Sequence, residues 1–360
     1  MPGPSFVVIG AGIVGCLAAR ELAARVPQAS VTVVDRDCVG AGASRRSAGL
    51  HLPRGATSRT RRMSAFSHAY YADLKLSHPR LPLHPVAATV IATPGAGGSM
   101  GGGYLSLAAP APVARPHGPA ITLSRGARAW RISGSHYADV YEVAHAIAAA
   151  LRPRVRFLEG VEVTGLEPGR GAVTVCTGTG ERLVADAAVL APGPWLHRPA
   201  WRHHLAPLGL RVKKIAALHL EQRPHPDDEA VILDDDDAFL LPLHTRGHWL
   251  FSYACQEWDV DPDELTAGLS AADLGAARAC LRRYSPVLAT TGACGRVFCD
   301  AYSPGDGPLV RAIDPDGRIV FAGAAGGSGY RLAPAIASEA VDSLRLAPRN
   351  EGVIGDHQYV

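Results

Sequence analysis

The segment from Ser5 to Asp35, SFVVIGAGIVGCLAARELAARVPQASVTVVD, constrains the fold of this chain more than any other. Phe6 to Ile9 form a short apolar run suited to a buried parallel strand, and Ile13 to Ala24 repeat apolar residues at helical spacing. Between them stands Gly10-x-Gly12-x-x-Gly15. Gly10 permits a tight turn, Gly12 lets the backbone approach a pyrophosphate, and Gly15 lets the helix pack close to the sheet. The pyrophosphate would rest on the helix start at Ile13 and Val14, where unpaired N–H groups and the helix dipole favour an anion. The VTVV strand then ends on Asp35, followed by Arg36. A carboxylate there can accept from both hydroxyls of an adenosine ribose and would repel a 2′-phosphate. This order of strand, turn, helix, strand and acid predicts a dinucleotide-binding βαβ unit for a nucleotide without that phosphate.

The 360 residues can bury a large core arranged in two or three lobes. The net charge of +3 is small and the arginines are spread along the chain, so nothing points to nucleic acid. There is no run of about 18 apolar residues and no basic, apolar leader, so a soluble cytoplasmic protein without a transmembrane segment is expected. Cys16, Cys38, Cys176, Cys255, Cys280, Cys294 and Cys299 are scattered, with no C-x-x-C pair. Neither a disulfide framework nor a zinc site is expected.

Farther along, Ala138 to Leu151 reads as a helix with Val140, Val143, Ile147 and Leu151 on one face and Asp139 at its cap. The next segments, VRFLEGVEVTGLEP, AVTVCTGTG and RLVADAAVLAPGPW, alternate strand patterns with glycine turns and end at Gly193-Pro194-Trp195. From Leu208 to Ser303 the pattern becomes antiparallel strands followed by a helix over Ala271 to Tyr284. Ile319 to Leu346 is again strand, glycine turn and helix. The expected class is α/β: a discontinuous Rossmann-type nucleotide domain (1–80, 136–205, 304–350), an antiparallel-sheet substrate domain (81–135, 206–303) and a tail (351–360). Gly95 to Gly103 reads as a surface loop, since no helix follows it. Without a second dinucleotide fold, electrons should enter from an organic substrate.

Four motifs make the chain similar to the FAD-dependent D-amino-acid oxidase, glycine oxidase and sarcosine oxidase family. They are GAGIVG with Asp35, the stretch Gly40 to Leu50 (GAGASRRSAGL), the VLAPGPW strand end, and Gly323 to Pro334 (GAAGGSGYRLAP). The matched segments cover about half the chain, roughly 6–50, 136–198 and 297–345. The resemblance implies a glutathione reductase-type FAD fold. It implies that Ser44 and Arg45 bind the pyrophosphate, that Ser47, Ala48 and Gly49 run along the flavin edge, and that amides near Val161 meet the adenine. Gly326, Gly327 and Gly329 to Arg331 would stabilise negative charge at the reduced flavin ring.

Arg331 stands where sarcosine oxidase-like members hold the substrate carboxylate with a lysine, and a guanidinium grips a carboxylate bidentately. Cys299 falls where that group joins a cysteine sulfur to the flavin 8α-carbon, which implies covalent FAD; the alternative is a small buried hydrophobe. Leu250 replaces a lysine credited with activating oxygen, and Gly49 an arginine that binds carboxylate. Lys213 and Lys214 are expected as solvated strand-edge lysines, and Arg54, Arg59, Arg61 and Arg62 as mostly solvated, with a second anion site as the alternative. Asp234 to Asp237 reads as a solvated hairpin end, and His136, His203 and His204 as structural. No metal is assigned.

The implied activity is hydride removal from the C–N bond of a small-molecule amine or amino acid, with oxygen or another carrier accepting the electrons. Tyr253, Tyr302 and Tyr330 are candidate hydrogen-bond donors beside Arg331. Two rivals stand beside it: a 2-hydroxy acid dehydrogenase using His51 or His244 as base, and a flavin-binding subunit without its own catalysis. A flavin hydroxylase is disfavoured because Gly323-Ala324 replaces a Gly-Asp pair.

Overall fold

The computed structural model describes residues 3–94, 103–118, 121–265 and 268–344. The Gly95 to Gly103 loop, except for Gly103, and the tail beyond Leu344 lie outside the described residues.

Two large sheets face each other across the molecule. The first has six strands in the order Leu309–Ala312, Ile319–Gly323, Ala187–Leu190, Ser5–Ile9, Ser30–Val34 and Val155–Leu158; all pair in parallel except the antiparallel edge strand Leu309–Ala312. Its central strands are uniformly apolar because both faces are covered. On one face Ile13–Arg25 packs against Val140–Leu151 and Gly329–Asp342, and Ser58–Ser77 packs on that last helix. The helix Val140–Leu151 starts where expected, with the Asp139 carboxylate accepting from the Glu142 N–H. The strands Val163–Pro168, Val173–Thr177 and Arg182–Ala185 form a separate antiparallel meander.

The second sheet has eight strands, in the order Ala293–Tyr302, Arg211–Leu220, His248–Trp258, Ala238–Leu243, Ala230–Leu233, Ala88–Ala92, Arg128–Ile132 and Ala111–Val113. Its outer face is sealed by the helix Ala271–Tyr284 around Trp249, Phe251, Leu218 and Leu281. Strand residues alternate between the sheet's two faces. Register therefore decides which side chains reach the space between the sheets: Ile215 pairs with Phe298 and Ala254, and Lys213 with Asp300. Lys213 and Lys214 are both only 8% exposed. They lie on an interior strand of the sheet, which overturns the expectation of solvated edge lysines.

Candidate active site

A cleft of about 740 Å³ runs between the two sheets, and the glycine-rich motifs of the first sheet form one of its walls. A Cβ on Gly10, at φ +101°, would meet the Ala191 carbonyl oxygen at 2.2 Å, and one on Gly15 the Gly10 oxygen at 1.8 Å. The protein's own backbone therefore requires those two glycines. Gly12 and Gly329 differ: both line the cleft, yet a Cβ would meet only the Ser44 hydroxyl at 3.3 Å in the first case and nothing within 4 Å in the second. Side chains there would fill the cleft without clashing with the fold, which suits a cradle shaped for a bound group. Gly12 caps the first long helix without a side-chain acceptor, while Ser44 Oγ accepts from the Ile13 N–H at 2.9 Å and ties Ala43–Arg46 to the helix start. These features fit a dinucleotide phosphate against the helix N-terminus.

At the far end of this wall the Asp35 carboxylate accepts from the Ala11 N–H at 2.6 Å and the Asp37 N–H at 2.9 Å. Burial pushes its pKa up, and those two N–H groups pull it back. Each oxygen retains lone-pair capacity for a ribose hydroxyl. Arg36 lies over the Trp195 ring at 4.5 Å. Asp263, not singled out from the sequence, holds this end together: it accepts from Arg36 at 2.7 Å, Arg198 at 2.6 Å and Trp195 Nε1 at 2.7 Å. Two expectations need correction. The Val161 N–H donates to the Asp35 carbonyl at 2.9 Å, so that amide is not free for an adenine, although Val161 lines the wall. Arg45 is exposed, 5.6 Å from the Tyr141 ring, and does not line the cleft.

Ser47, Ala48 and Gly49 line the middle of the cleft with Gly193. Gly49 sits at φ +66°, and a Cβ there would meet the Ala138 oxygen at 2.0 Å, so the backbone path along this stretch is fixed.

The opposite wall is the inner face of the eight-stranded sheet. Ile215, Ala217, Ala254 and Phe298 form an apolar patch on it, and Asp300 and Tyr302 follow Phe298 at every second position. The same alternation bears on two sequence candidates. Tyr253 falls on the outer face, stacked on Phe251 with ring centroids 6.5 Å apart and next to the helix Ala271–Tyr284, so it cannot reach substrate. Cys299 sits one residue out of phase. Its side chain packs with Val212, Ala301 and Phe321, and burial pushes the thiol up to about 12. Phe298 and Cys299 both border the cleft, and what disfavours a thioether at Cys299 is its buried, protonated thiol.

Tyr330 lines the cleft, but its phenol is committed elsewhere. Its hydroxyl pairs with His136 Nε2 at 2.9 Å and its ring stacks on Tyr71 at 4.7 Å. Tyr302 is the one of the three tyrosines whose ring stays at the site; a Cβ on Gly326 would meet it at 2.5 Å. Gly326, Gly327 and Gly329 form the turn that opens the last helix and line the cleft beside it.

Arg331 lies in the first turn of that helix. It donates to the Arg54 carbonyl at 2.6 Å and to Ser328 Oγ at 2.5 Å, and it has no carboxylate partner among the described residues. Burial, with Arg54 nearby, presses its pKa down to about 10, so it stays charged at neutral pH. Arg54 reaches the cleft but is paired with Asp234 at 2.7 Å, and Arg59 is turned to Glu339. Asp234, Asp235 and Asp237 are exposed, as the solvated hairpin reading expects, and Asp234 and Asp237 also border the cleft, Asp237 from a left-handed backbone at φ +47°. Asp300 and Asp237 are the site residues that the sequence reading missed.

No histidine lines the cleft among the described residues. His51 is fully buried and stacked on His136 at 4.6 Å, and burial drives its pKa to about 2. His244 borders a separate recess with His117 and Arg131. Neither can serve as the base that the hydroxy acid reading needs. Among the described residues no group of three His, Cys, Asp or Glu could hold a metal ion, and no helix is long and apolar enough to cross a membrane.

A family description, FAD dependent oxidoreductase, matches residues 5–343. The chain belongs to that family. The oxidoreductase also resembles solved structures at low identity, which bear on its fold alone. L-proline dehydrogenase from P. horikoshii has a TM-score of 0.78 at 18% identity, covering 95% of this chain and 93% of that one. Glycine oxidase from Geobacillus kaustophilus has 0.71 at 18%, covering 96% of each chain. Fructosyl amine: oxygen oxidoreductase (Amadoriase I) from Aspergillus fumigatus has 0.74 at 19%, covering 96% of this chain and 87% of that one. No curated protein matches the sequence. FAD is therefore the group for which the oxidoreductase's glycine cradle is shaped.

Proposed function

We propose that the enzyme oxidises the C–N bond of an α-amino or imino acid whose carboxylate is held by Arg331. The observation that carries this reading is the Arg331 guanidinium, a cation in the cleft without a carboxylate of its own among the described residues. A substrate carboxylate would supply that anion through charge-assisted hydrogen bonds. The names of three similar structures, a proline dehydrogenase, a glycine oxidase and a fructosyl amine oxidoreductase, support an amine as the substrate group.

Bound FAD supplies the two-electron acceptor for a hydride. The chain's residues supply position and environment. Arg331 fixes the acid end of the substrate, so the α-carbon hydrogen has one orientation. Ile215, Ala254 and Phe298 exclude water from the reacting carbon. The turn at Gly326 to Gly329 presents backbone dipoles and a helix start suited to negative charge at the acceptor. Tyr302 offers a hydroxyl on the facing wall. We propose oxygen or another carrier as the final electron acceptor.

Anaerobic bleaching of the yellow holoprotein against a panel of D- and L-amino acids, imino acids and 2-hydroxy acids tests this reading. Amino or imino acids should bleach it. Bleaching by hydroxy acids alone, or by nothing on the panel, overturns the proposal.

A further inference from the structure

Two carboxyls, Asp300 and Asp237, and the Arg331 guanidinium line the cleft around the turn that opens the last helix. The Asp300 carboxyl has no hydrogen bond or ion pair with any other described residue, although it lies on the cleft wall. Its direct cross-strand neighbour, Lys213, does not neutralise it: the ammonium lies 5.0 Å from the Trp258 ring and 5.9 Å from the Tyr302 ring. Asp237 approaches from the Asp234 to Asp237 turn and adds a second carboxyl near Asp300. Arg54 is bound to Asp234 and Arg283 to Asp236, and Lys213 and Arg54 pull the Asp237 carboxyl's pKa down against its burial.

The turn before the last helix links this pair to Arg331. A Cβ on Gly327 would lie 3.9 Å from Asp300 Oδ2, and Ser328, the next residue, accepts from Arg331. An unpartnered carboxyl and an uncompensated guanidinium therefore flank one short turn. A dipolar ligand satisfies both, with its acid at one side and its cation at the other.

We propose that Asp300 is the proton acceptor for the substrate's ammonium group, which makes zwitterionic amino or imino acids the substrates of this cleft. The assignment rests on the reading under Proposed function. The ammonium N–H bond breaks and its proton passes to the Asp300 carboxylate, leaving a neutral amine whose lone pair can form the C=N bond. The α-carbon can then give up a hydride, for which bound FAD would be the acceptor, leaving an iminium, and Asp300 returns its proton to solvent. Burial, followed by the Asp237 charge, pushes the Asp300 carboxyl up to about 7, a range suited to proton transfer near neutrality. The groups facing it are Lys213 from the neighbouring strand, Asp237 from the turn, Tyr302 from its own strand and Arg331 beyond Ser328; the glycines of the Gly326 to Gly329 turn carry no ionisable side chain.

The test uses FAD-loaded wild type, Asp300→Asn and Asp237→Asn. The carboxyl 13C shift of Asp300, labelled with [4-13C]aspartate and assigned by its loss in Asp300→Asn, should titrate between about pH 6 and 8 in the wild type and at lower pH in Asp237→Asn. Asparagine tolerates the left-handed backbone at position 237. With an amine that bleaches the wild type, kcat/KM should rise through the same pH. In Asp300→Asn it should fall about 10²- to 10³-fold at pH 7 and recover only as the free amino acid loses its own proton. An Asp300 signal that titrates near pH 4, or a wild-type pH limb that survives in Asp300→Asn, overturns the assignment. If no amine bleaches the wild type, the amine reading fails as a whole. That result is distinct from an active wild type whose pH profile ignores Asp300.

Discussion

Truncating Arg331 to alanine tests the substrate site most directly. The guanidinium spends one bond on the Arg54 carbonyl and one on Ser328 Oγ, so donors on both terminal nitrogens remain for a carboxylate. Each charge-assisted hydrogen bond contributes about 1.5–3 kcal/mol. Two of them give about 3–6 kcal/mol, or about 10²- to 10⁴-fold in kcat/KM. Arg331→Lys should fall between, because an ammonium keeps the charge and loses the planar fork. The assay is anaerobic stopped-flow reduction of the flavin by an amino acid, run beside an amine that lacks a carboxylate. The loss should appear with the acid and be small with the amine. FAD content should match that of the wild type in both variants, because the turn at Gly326 to Gly329 presents backbone to the cleft. Wild-type kinetics with an α-amino acid after Arg331→Ala would place the carboxylate elsewhere. Arg54 is then the remaining arginine at this end of the cleft, and it would have to leave Asp234 to serve.

The other predictions concern the cofactor and the core. Gly12→Ala should yield a folded chain that has lost FAD, whereas Gly15→Ala should be destabilised even without cofactor, since its Cβ would lie 1.8 Å from the Gly10 oxygen; equal thermal stability of the two apo variants would refute this division. Acid precipitation of the holoprotein should release the yellow colour into the supernatant, because the Cys299 thiol is packed with Val212, Ala301 and Phe321 and burial keeps it protonated; colour retained in the pellet and released by Cys299→Ala would show attachment after all. Burial holds the pKa of His136 down at about 4 in the fold, against an ordinary value of 6.5 in the unfolded chain. The unfolded state therefore binds more protons between those values, and stability falls as pH drops from about 6.5 toward 4. For His136 the loss is about 2 kcal/mol by pH 5, and the urea midpoint of His136→Gln should fall less over that range than that of the wild type.

The parts of the fold that were legible in the sequence are those where one local constraint leaves one solution. Gly10, Gly12, Gly15 and Asp35 form such a set, and the Asp139 cap of the next helix is another. Arg331 was singled out through the resemblance of GAAGGSGYRLAP to the family's C-terminal motif, and it lines the cleft from the first turn of the last helix. The errors share a different cause. Cys299, Phe298 and Asp300 occupy adjacent positions on one strand, and how each meets the cleft depends on a parity that only pairing with Arg211–Leu220 sets. The flank of Cys299 drew attention to the thiol, while Asp300, the next residue, was passed over although it lines the same cleft. Tyr253 failed on the same parity across the neighbouring strand. Asp237 was concealed by composition: four consecutive aspartates read as solvent-exposed turn, yet their partners differ. Asp234 holds Arg54, Asp235 accepts from the Thr93 N–H, Asp236 holds Arg283 and Tyr284, and Asp237 is left at the cleft. Sequence spacing thus found the half of the site built from backbone, where glycine has no substitute. The half built from side chains on paired strands depends on register, and it is there that the two carboxyls facing the substrate end of the cleft were found.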